Sequence, residues 1–155
     1  MGKSGGRWWT TVFFGEFRHN MDAKGRMSIP AKMRNECGTL VYVTRGHEGC
    51  LDVYNEEGWQ AFYSELSKLS NKKRKARQYL RIINAKTREC PFDKMGRINI
   101  PSDLRALAHL EKECVVIGAG DHMEIWNADS WDAYCDISDD EFDELSEMLE
   151  EDEEE

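Results

Sequence analysis

Two arginines stand in the same local setting. Arg26 closes Asp22-Ala-Lys-Gly-Arg26 and Arg97 closes Asp93-Lys-Met-Gly-Arg97, each four residues after an aspartate and one after a glycine. A guanidinium is a planar fork of donors that engages a carboxylate, a phosphate or the O6/N7 edge of guanine through two parallel bonds. Lys24 and Lys94 add positive charge within the same turns. Two kinds of chemistry suit this pattern. The aspartate can staple the arginine inside a turn, or the turn can present an arginine, oriented by the aspartate, to an outside partner. An exposed ion pair stabilises by only about 0–1 kcal/mol, so stability alone is a weak reason for a charged, glycine-shaped turn to occur twice. The two roles are compatible.

The turns belong to a longer duplication. Asp22-Ala-Lys-Gly-Arg-Met-Ser-Ile-Pro30-Ala-Lys-Met-Arg34 returns 71 residues later as Asp93-Lys-Met-Gly-Arg-Ile-Asn-Ile-Pro101-Ser-Asp-Leu-Arg105. Further on, Leu51-Asp52-Val53-Tyr54 answers Met123-Glu124-Ile125-Trp126, and Trp59 answers Trp131. Two copies indicate a tandem duplication, since a solenoid needs three or more. A unit of about 45 residues rarely buries enough surface to stand alone, so the halves are expected to share one core in a pseudo-symmetric domain.

The elements that would carry the turns follow from periodicity. Phe17, His19 and Met21 alternate before the first turn, and Met27 and Ile29 after it; Cys90, Phe92, Ile98 and Ile100 do the same around the second. Asp22–Gly25 and Asp93–Gly96 therefore read as tips of β-hairpins. Pro30 and Pro101 suit the first turn of a helix, predicting helices from Ala31 to about Cys37 and from Ser102 to about Leu110. Strands Leu40–Val43, Cys50–Tyr54, Cys114–Ile117 and His122–Trp126 follow. Each half thus reads as hairpin, short helix, hairpin, in a mostly β, α+β chain. The expected organisation is an extension over residues 1–11, a first half over 12–59, a helical connector over 60–87, a second half over 88–135 and a tail over 136–155. Within the connector, Trp59, Phe62, Leu66 and Leu69 form one apolar stripe and Ala76, Tyr79, Leu80 and Ile83 another. A helix starting near Asp129 should bury Trp131 and Tyr134.

The net charge of −9 conceals an asymmetry. Residues 136–155 hold 13 acidic and no basic side chains, leaving 21 basic and 17 acidic ones, a net of +4, on residues 1–135. A basic body with an acidic tail is found among proteins that meet nucleic acid. The composition predicts disorder for the tail, firmest over Glu150–Glu155, although Phe142, Leu145, Met148 and Leu149 could make a marginal helix. The run Lys72-Lys73-Arg74-Lys75-Ala76-Arg77, with Arg81, is a second cationic candidate: a solvated helix face, or a contact to phosphates that positions without specifying sequence. Five cysteines without a Cys-x-x-Cys pair suggest buried thiols in a reducing cytosol rather than disulfides or zinc. No apolar run suits a signal peptide or a membrane helix. His19 near Asp22, His47 with Glu48, and Asp121 with His122 lack a nucleophile or a repeated metal-ligand spacing. No catalysis, cofactor, metal or small-molecule substrate is expected. Trp59, Trp126 and Trp131 read as packing, while Trp8 and Trp9 have no assigned role.

The string Val12-Phe-Phe-Gly-Glu-Phe-Arg-His-Asn-Met-Asp-Ala-Lys-Gly-Arg-Met-Ser-Ile-Pro-Ala-Lys-Met-Arg34, with Thr44-Arg-Gly46, Gly49-Cys50-Leu51 and Val53-Tyr54, resembles the MraZ family. Asp93–Pro101, Val115-Val-Ile-Gly-Ala-Gly120 and Glu124-Ile-Trp126 extend the resemblance to about residues 12–135. It implies tandem, AbrB-like (double-psi or swapped-hairpin) barrel halves with short helices. It also implies a ring-forming homo-oligomer in the cytoplasm, associated with the nucleoid. Such a protein binds short, G-containing direct repeats in double-stranded DNA upstream of the division and cell-wall genes, and regulates its own operon. By position, the DNA contacts fall on Asp22, Lys24 and Arg26 and on Asp93, Lys94 and Arg97. Residues 1–11 and the acidic tail lie outside the resemblance. A ring-forming scaffold without DNA affinity, or an RNA-binding regulator that prefers unpaired bases, would share the duplication and the tail.

Overall fold

The computed structural model describes residues 11–154, with side chains to residue 150. Among the described residues the chain order is β1 (Glu16–Asn20), β2 (Arg26–Ser28), α1 (Ala31–Arg34), β3 (Leu40–Arg45), β4 (Leu51–Tyr54), α2 (Glu56–Leu66), α3 (Arg74–Lys86) and β5 (Arg88–Pro91). It continues with β6 (Arg97–Asn99), α4 (Ser102–Leu107), β7 (Glu113–Gly118), β8 (Met123–Asn127), α5 (Ala128–Cys135) and α6 (Asp139–Glu154). The fold is mixed α/β with antiparallel sheets. A six-stranded sheet has the order β1-β7-β8-β4-β3-β5, and β2 pairs with β6 in a separate two-stranded ribbon. No described helix is long and apolar enough to cross a membrane.

The pairing corrects the expected hairpins. Among the described residues, only β3–β4 and β7–β8 are ladders within one half. The strand before the first turn, β1, pairs with β7 of the second half; β5 pairs with β3 of the first; and β2 pairs with β6. The turns themselves form, with the Gly25 N–H donating to the Asp22 carbonyl at 3.0 Å and the Gly96 N–H to the Asp93 carbonyl at 3.0 Å. They turn the chain out of the large sheet into the ribbon instead of closing a ladder. A period of two tells which face a side chain takes, not which strand lies beside it.

The core draws on both halves. Met27, Ile29, Leu51 and Val53 from the first and Ile98, Ile100, Leu104, Met123 and Ile125 from the second are essentially inaccessible and form one cluster. Flanking helices dock by equivalent means. Asn55 caps α2 by accepting from the Gly58 N–H at 2.8 Å, and Asn127 caps α5 by accepting from the Ser130 N–H at 3.0 Å. Trp59 of α2 stacks on Tyr42, while Trp131 and Tyr134 of α5 pack on Trp126. Tyr134 nevertheless stays 54% exposed, contrary to the expected burial, although its ring also meets Trp131. Cys37, Cys50, Cys90 and Cys114 are buried; Cys135, at the end of α5, is exposed.

Residues 139–154 form α6, so the marginal helix allowed by Phe142, Leu145, Met148 and Leu149 is present and runs on past Glu150, where disorder was expected. Ser138 and Glu141 make a reciprocal cap, the Glu141 N–H donating to the Ser138 hydroxyl at 3.1 Å and the Ser138 N–H to the Glu141 carboxylate at 3.2 Å. Asp139, Asp140 and Glu141 lie in the first turn, where acidic charge favours the helix dipole. Residues 1–10 and 155, with Trp8 and Trp9, lie outside the described residues.

Candidate nucleic-acid interface

The two repeated turns meet on one surface. In the β2–β6 ribbon Met27 faces Ile98 and both point into the core, so Arg26, Ser28, Arg97 and Asn99 share the opposite, outward face. The half-buried Arg26 is paired across the ribbon with Asn99, and the half-buried Arg97 with Ser28. One arginine from each half thus occupies a single two-stranded ribbon, whereas the sequence pattern had placed one on each of two independent hairpins.

Each aspartate organises its own turn. Asp22 Oδ1 accepts from the backbone N–H groups of Lys24 at 3.0 Å and Arg26 at 2.9 Å, and Oδ2 accepts from Arg26 Nε at 2.6 Å. Asp93 repeats the set with the Met95 and Arg97 N–H groups, both at 2.9 Å, and Arg97 Nε at 2.8 Å. These bonds, foremost those from the Arg26 and Arg97 backbone, hold both carboxyls below their ordinary value of 3.8. Arg97 Nη1 also lies 3.7 Å from Asp22 Oδ2, which links the two turns. The stapling role is therefore present in full. Because the bonds to Asp use Nε, they fix the plane of each guanidinium and leave both terminal nitrogens of Arg26 and Nη2 of Arg97 to be aimed. Beyond the arginines, the tips carry exposed Lys24, Lys94 and Met95.

The last arginine of each motif has no evident task in the sequence alone. Arg34 lies against Gly96 of the other half, and Arg105 lies against Gly25. Arg34 Nη1 also donates to the Ile29 carbonyl at 2.7 Å. Ile29 N–H donates to the Gly96 carbonyl at 3.2 Å, and Ile100 N–H to the Gly25 carbonyl at 2.9 Å. Each half thus completes the other's turn, and Arg26, Arg97, Arg34 and Arg105 gather around the two tips. The repeated spacing was a signal for Arg34 and Arg105, but their contacts cross between halves, which no spacing within one copy can show.

The second basic candidate sits at the start of α3. Lys72, Lys73, Arg74 and Lys75 are exposed. Arg77 is instead engaged locally, Nη1 donating to the Asn71 carbonyl at 2.8 Å and the Lys72 carbonyl at 3.0 Å. Basic residues in a first turn oppose the helix dipole, and the first turn of α3 contains no acidic residue. His19 is exposed, and its ring nitrogen neighbours the Asn20 carbonyl at 3.1 Å rather than a catalytic partner.

Residues 12–82 and 83–152 each match the family described as "MraZ protein, putative antitoxin-like". A protein of Ligilactobacillus salivarius named "Transcriptional regulator MraZ" is 45% identical over 138 residues, which cover 89% of this chain and 96% of that protein. A protein of the same name from Lactiplantibacillus plantarum is 44% identical, covering 89% of this chain and 98% of that protein. Another from Alkaliphilus metalliredigens is 41% identical, covering 90% of this chain and 98% of that protein. The two family matches fall on the two halves whose turns complete one another, and this chain belongs to the MraZ family.

Proposed function

We propose that the chain is a transcriptional regulator that binds double-stranded DNA through the outward face of the β2–β6 ribbon. The observation that carries this reading is the pair Arg26 and Arg97, one from each half, oriented by Asp22 and Asp93 on a single exposed ribbon. A two-stranded ribbon fits the major groove of B-DNA, and arginine with a fixed plane is suited to guanine O6 and N7. Lys24 and Lys94 at the tips would hold phosphates on either side, and Lys72, Lys73, Arg74 and Lys75 would add contacts that set affinity without sequence. The name shared by the relatives supports regulation of transcription. The exchange of strands between halves agrees with the AbrB-like, swapped-hairpin arrangement that the family resemblance implied.

One ribbon reads few bases, each good bidentate contact discriminating by about 1–3 kcal/mol. Selection of a promoter then requires several ribbons acting together. A ring-shaped homo-oligomer facing short direct repeats upstream of the division and cell-wall genes supplies that avidity. The site of action is the cytoplasm, at the nucleoid.

The test is binding to a duplex from this gene's own upstream region and to a shuffled duplex, across a salt series. Preference for the native duplex, lost in Lys24→Ala and in Arg26→Ala with folding intact, is the expected result. Lys24 is exposed, so its loss separates binding from stapling. Equal, weak binding to both duplexes defeats the reading, and stronger binding to single-stranded RNA replaces it with the RNA-binding alternative.

A further inference from the structure

The seam between the halves in the large sheet contains a second constellation. Strands β4 and β8 pair there with Asp52 directly opposite Glu124. Like charges across a ladder are unfavourable, and Asp52 is 8% exposed, so solvent does little to relieve them. Alternation along each strand brings Cys50 beside Asp52 and His122 beside Glu124. Cys50-Leu-Asp52 and His122-Met-Glu124 are also counterparts in the duplication, so each half contributes two groups to one cluster.

Three of the side chains are spaced as metal ligands are: ligand atoms of Cys50, Asp52 and Glu124 all lie within 4.8 Å of one another, and His122 lies outside that group, held on the two carboxylates. Cys50 Sγ is 3.8 Å from Asp52 Oδ1, and His122 Nε2 is 3.5 Å from Asp52 Oδ1 and 3.2 Å from Glu124 Oε2. Zinc bonds of about 2.0–2.3 Å in a tetrahedron require ligand atoms about 3.3–3.8 Å apart. The surroundings orient the ligands as zinc sites do. His122 Nδ1 lies 2.7 Å from Asp121 Oδ1, which directs the Nε2 lone pair inward, and Glu124 Oε1 accepts from Trp126 Nε1 at 2.9 Å. Gly46 keeps the approach clear: a Cβ there would stand 2.6 Å from Asp52 Oδ1 and 2.8 Å from Cys50 Sγ. A cavity of about 410 Å³, lined by Gly46, Gly49, Cys50 and Tyr79 among others, opens beside the thiol.

We propose that Cys50, Asp52 and Glu124 bind one zinc ion, with His122 Nε2 turning from the two carboxylates onto the ion as the fourth ligand, which ties the two halves of the chain together across the β4–β8 seam. A thiolate and an imidazole select a borderline-soft ion over calcium or magnesium, which take oxygen ligands. On binding, the Cys50 thiol and the imidazolium of His122 each release a proton, leaving a dication among three anionic ligands and one neutral ligand. Metal-free, the His122 imidazolium would lie between the carboxylates as an internal ion pair. The expectation of no metal arose because no ligand spacing repeats along the chain; the set assembles only through pairing between halves.

The experiment uses the full chain carrying Cys135→Ser, which removes the exposed thiol, after treatment with a chelator. Titration with cobalt(II) should give tetrahedral d–d bands and thiolate-to-cobalt charge transfer that saturate at one equivalent per chain. Zinc should abolish both and raise the melting temperature. Cys50→Ser should lose the charge transfer, and His122→Gln should bind at least about tenfold more weakly, each with a native circular dichroism spectrum. Should either variant fail to fold, the parent titration decides alone. Absence of charge transfer in the parent, its persistence in folded Cys50→Ser, or a melting temperature indifferent to zinc overturns the site in favour of the ion pair.

Discussion

Gly25 meets two demands at once. Its φ of 84° lies in the left-handed region, and the guanidinium of Arg105 occupies the space into which a side chain would project. Gly25→Ala should therefore destabilise the fold by about 1–3 kcal/mol, part from the backbone and part from the clash. The parts separate in a double-mutant cycle read by denaturant melts: in an Arg105→Ala background the same substitution should cost at least about 0.5 kcal/mol less. Additive effects would show that the guanidinium moves aside freely. The paired aspartates make a second prediction. Their carboxyls are held below 3.8 by the turn's N–H groups and arginines, so each contributes stability that is complete above that pH and disappears as pH falls through the lowered value. The variant carrying Asp22→Asn and Asp93→Asn should be less stable at neutral pH and lose less on acidification. An acid transition of undiminished size, followed by circular dichroism, would show that these carboxyls do not drive it.

At the scale of elements, the chain advertised its local structure and concealed its partners. Pro30 and Pro101 preceded α1 and α4 as expected, and Gly25 and Gly96 took positive φ in both turns. Those outcomes depend on a few neighbouring residues. The ribbon was not legible, because Met27 and Ile98 announce a buried face to any strand that can cover it. Arg34 and Arg105 were visible as repeated residues, yet their contacts lie in the other half. The tail was legible only in part: Phe142, Leu145, Met148 and Leu149 allowed a marginal helix, but composition counted only carboxylates, while the Ser138–Glu141 cap acts through position. Ser138→Ala should cost α6 about 0.5–2 kcal/mol and lower the helical circular dichroism signal at 222 nm. Added salt should raise that signal in the parent by screening the acidic side chains from one another. A signal unchanged by the substitution would mean that the cap does not hold the helix.

For the whole molecule the decisive quantity is where charge lies when DNA arrives. Residues 1–135 carry a net of +4 and residues 136–155 carry 13 carboxylates, so the tail repels the phosphates that the basic residues attract. A helix rises about 1.5 Å per residue, which makes the 16-residue α6 a rod of about 24 Å rather than a chain that collapses onto the basic face. Its repulsion of a duplex reaches about 10 Å at 0.1 M salt and about 30 Å at 0.01 M. Competition of this kind acts on phosphate contacts, which supply non-specific affinity, more than on base contacts. Deleting residues 136–155 should therefore tighten binding to a shuffled duplex several-fold at low salt and change it little as salt rises towards 0.2 M. Discrimination between the native and shuffled duplexes should fall accordingly. Fluorescence anisotropy with both duplexes at each salt concentration measures this directly. Affinities unaltered at the lowest salt would show that the carboxylates stay clear of the DNA, and that the tail improves solubility without tuning recognition.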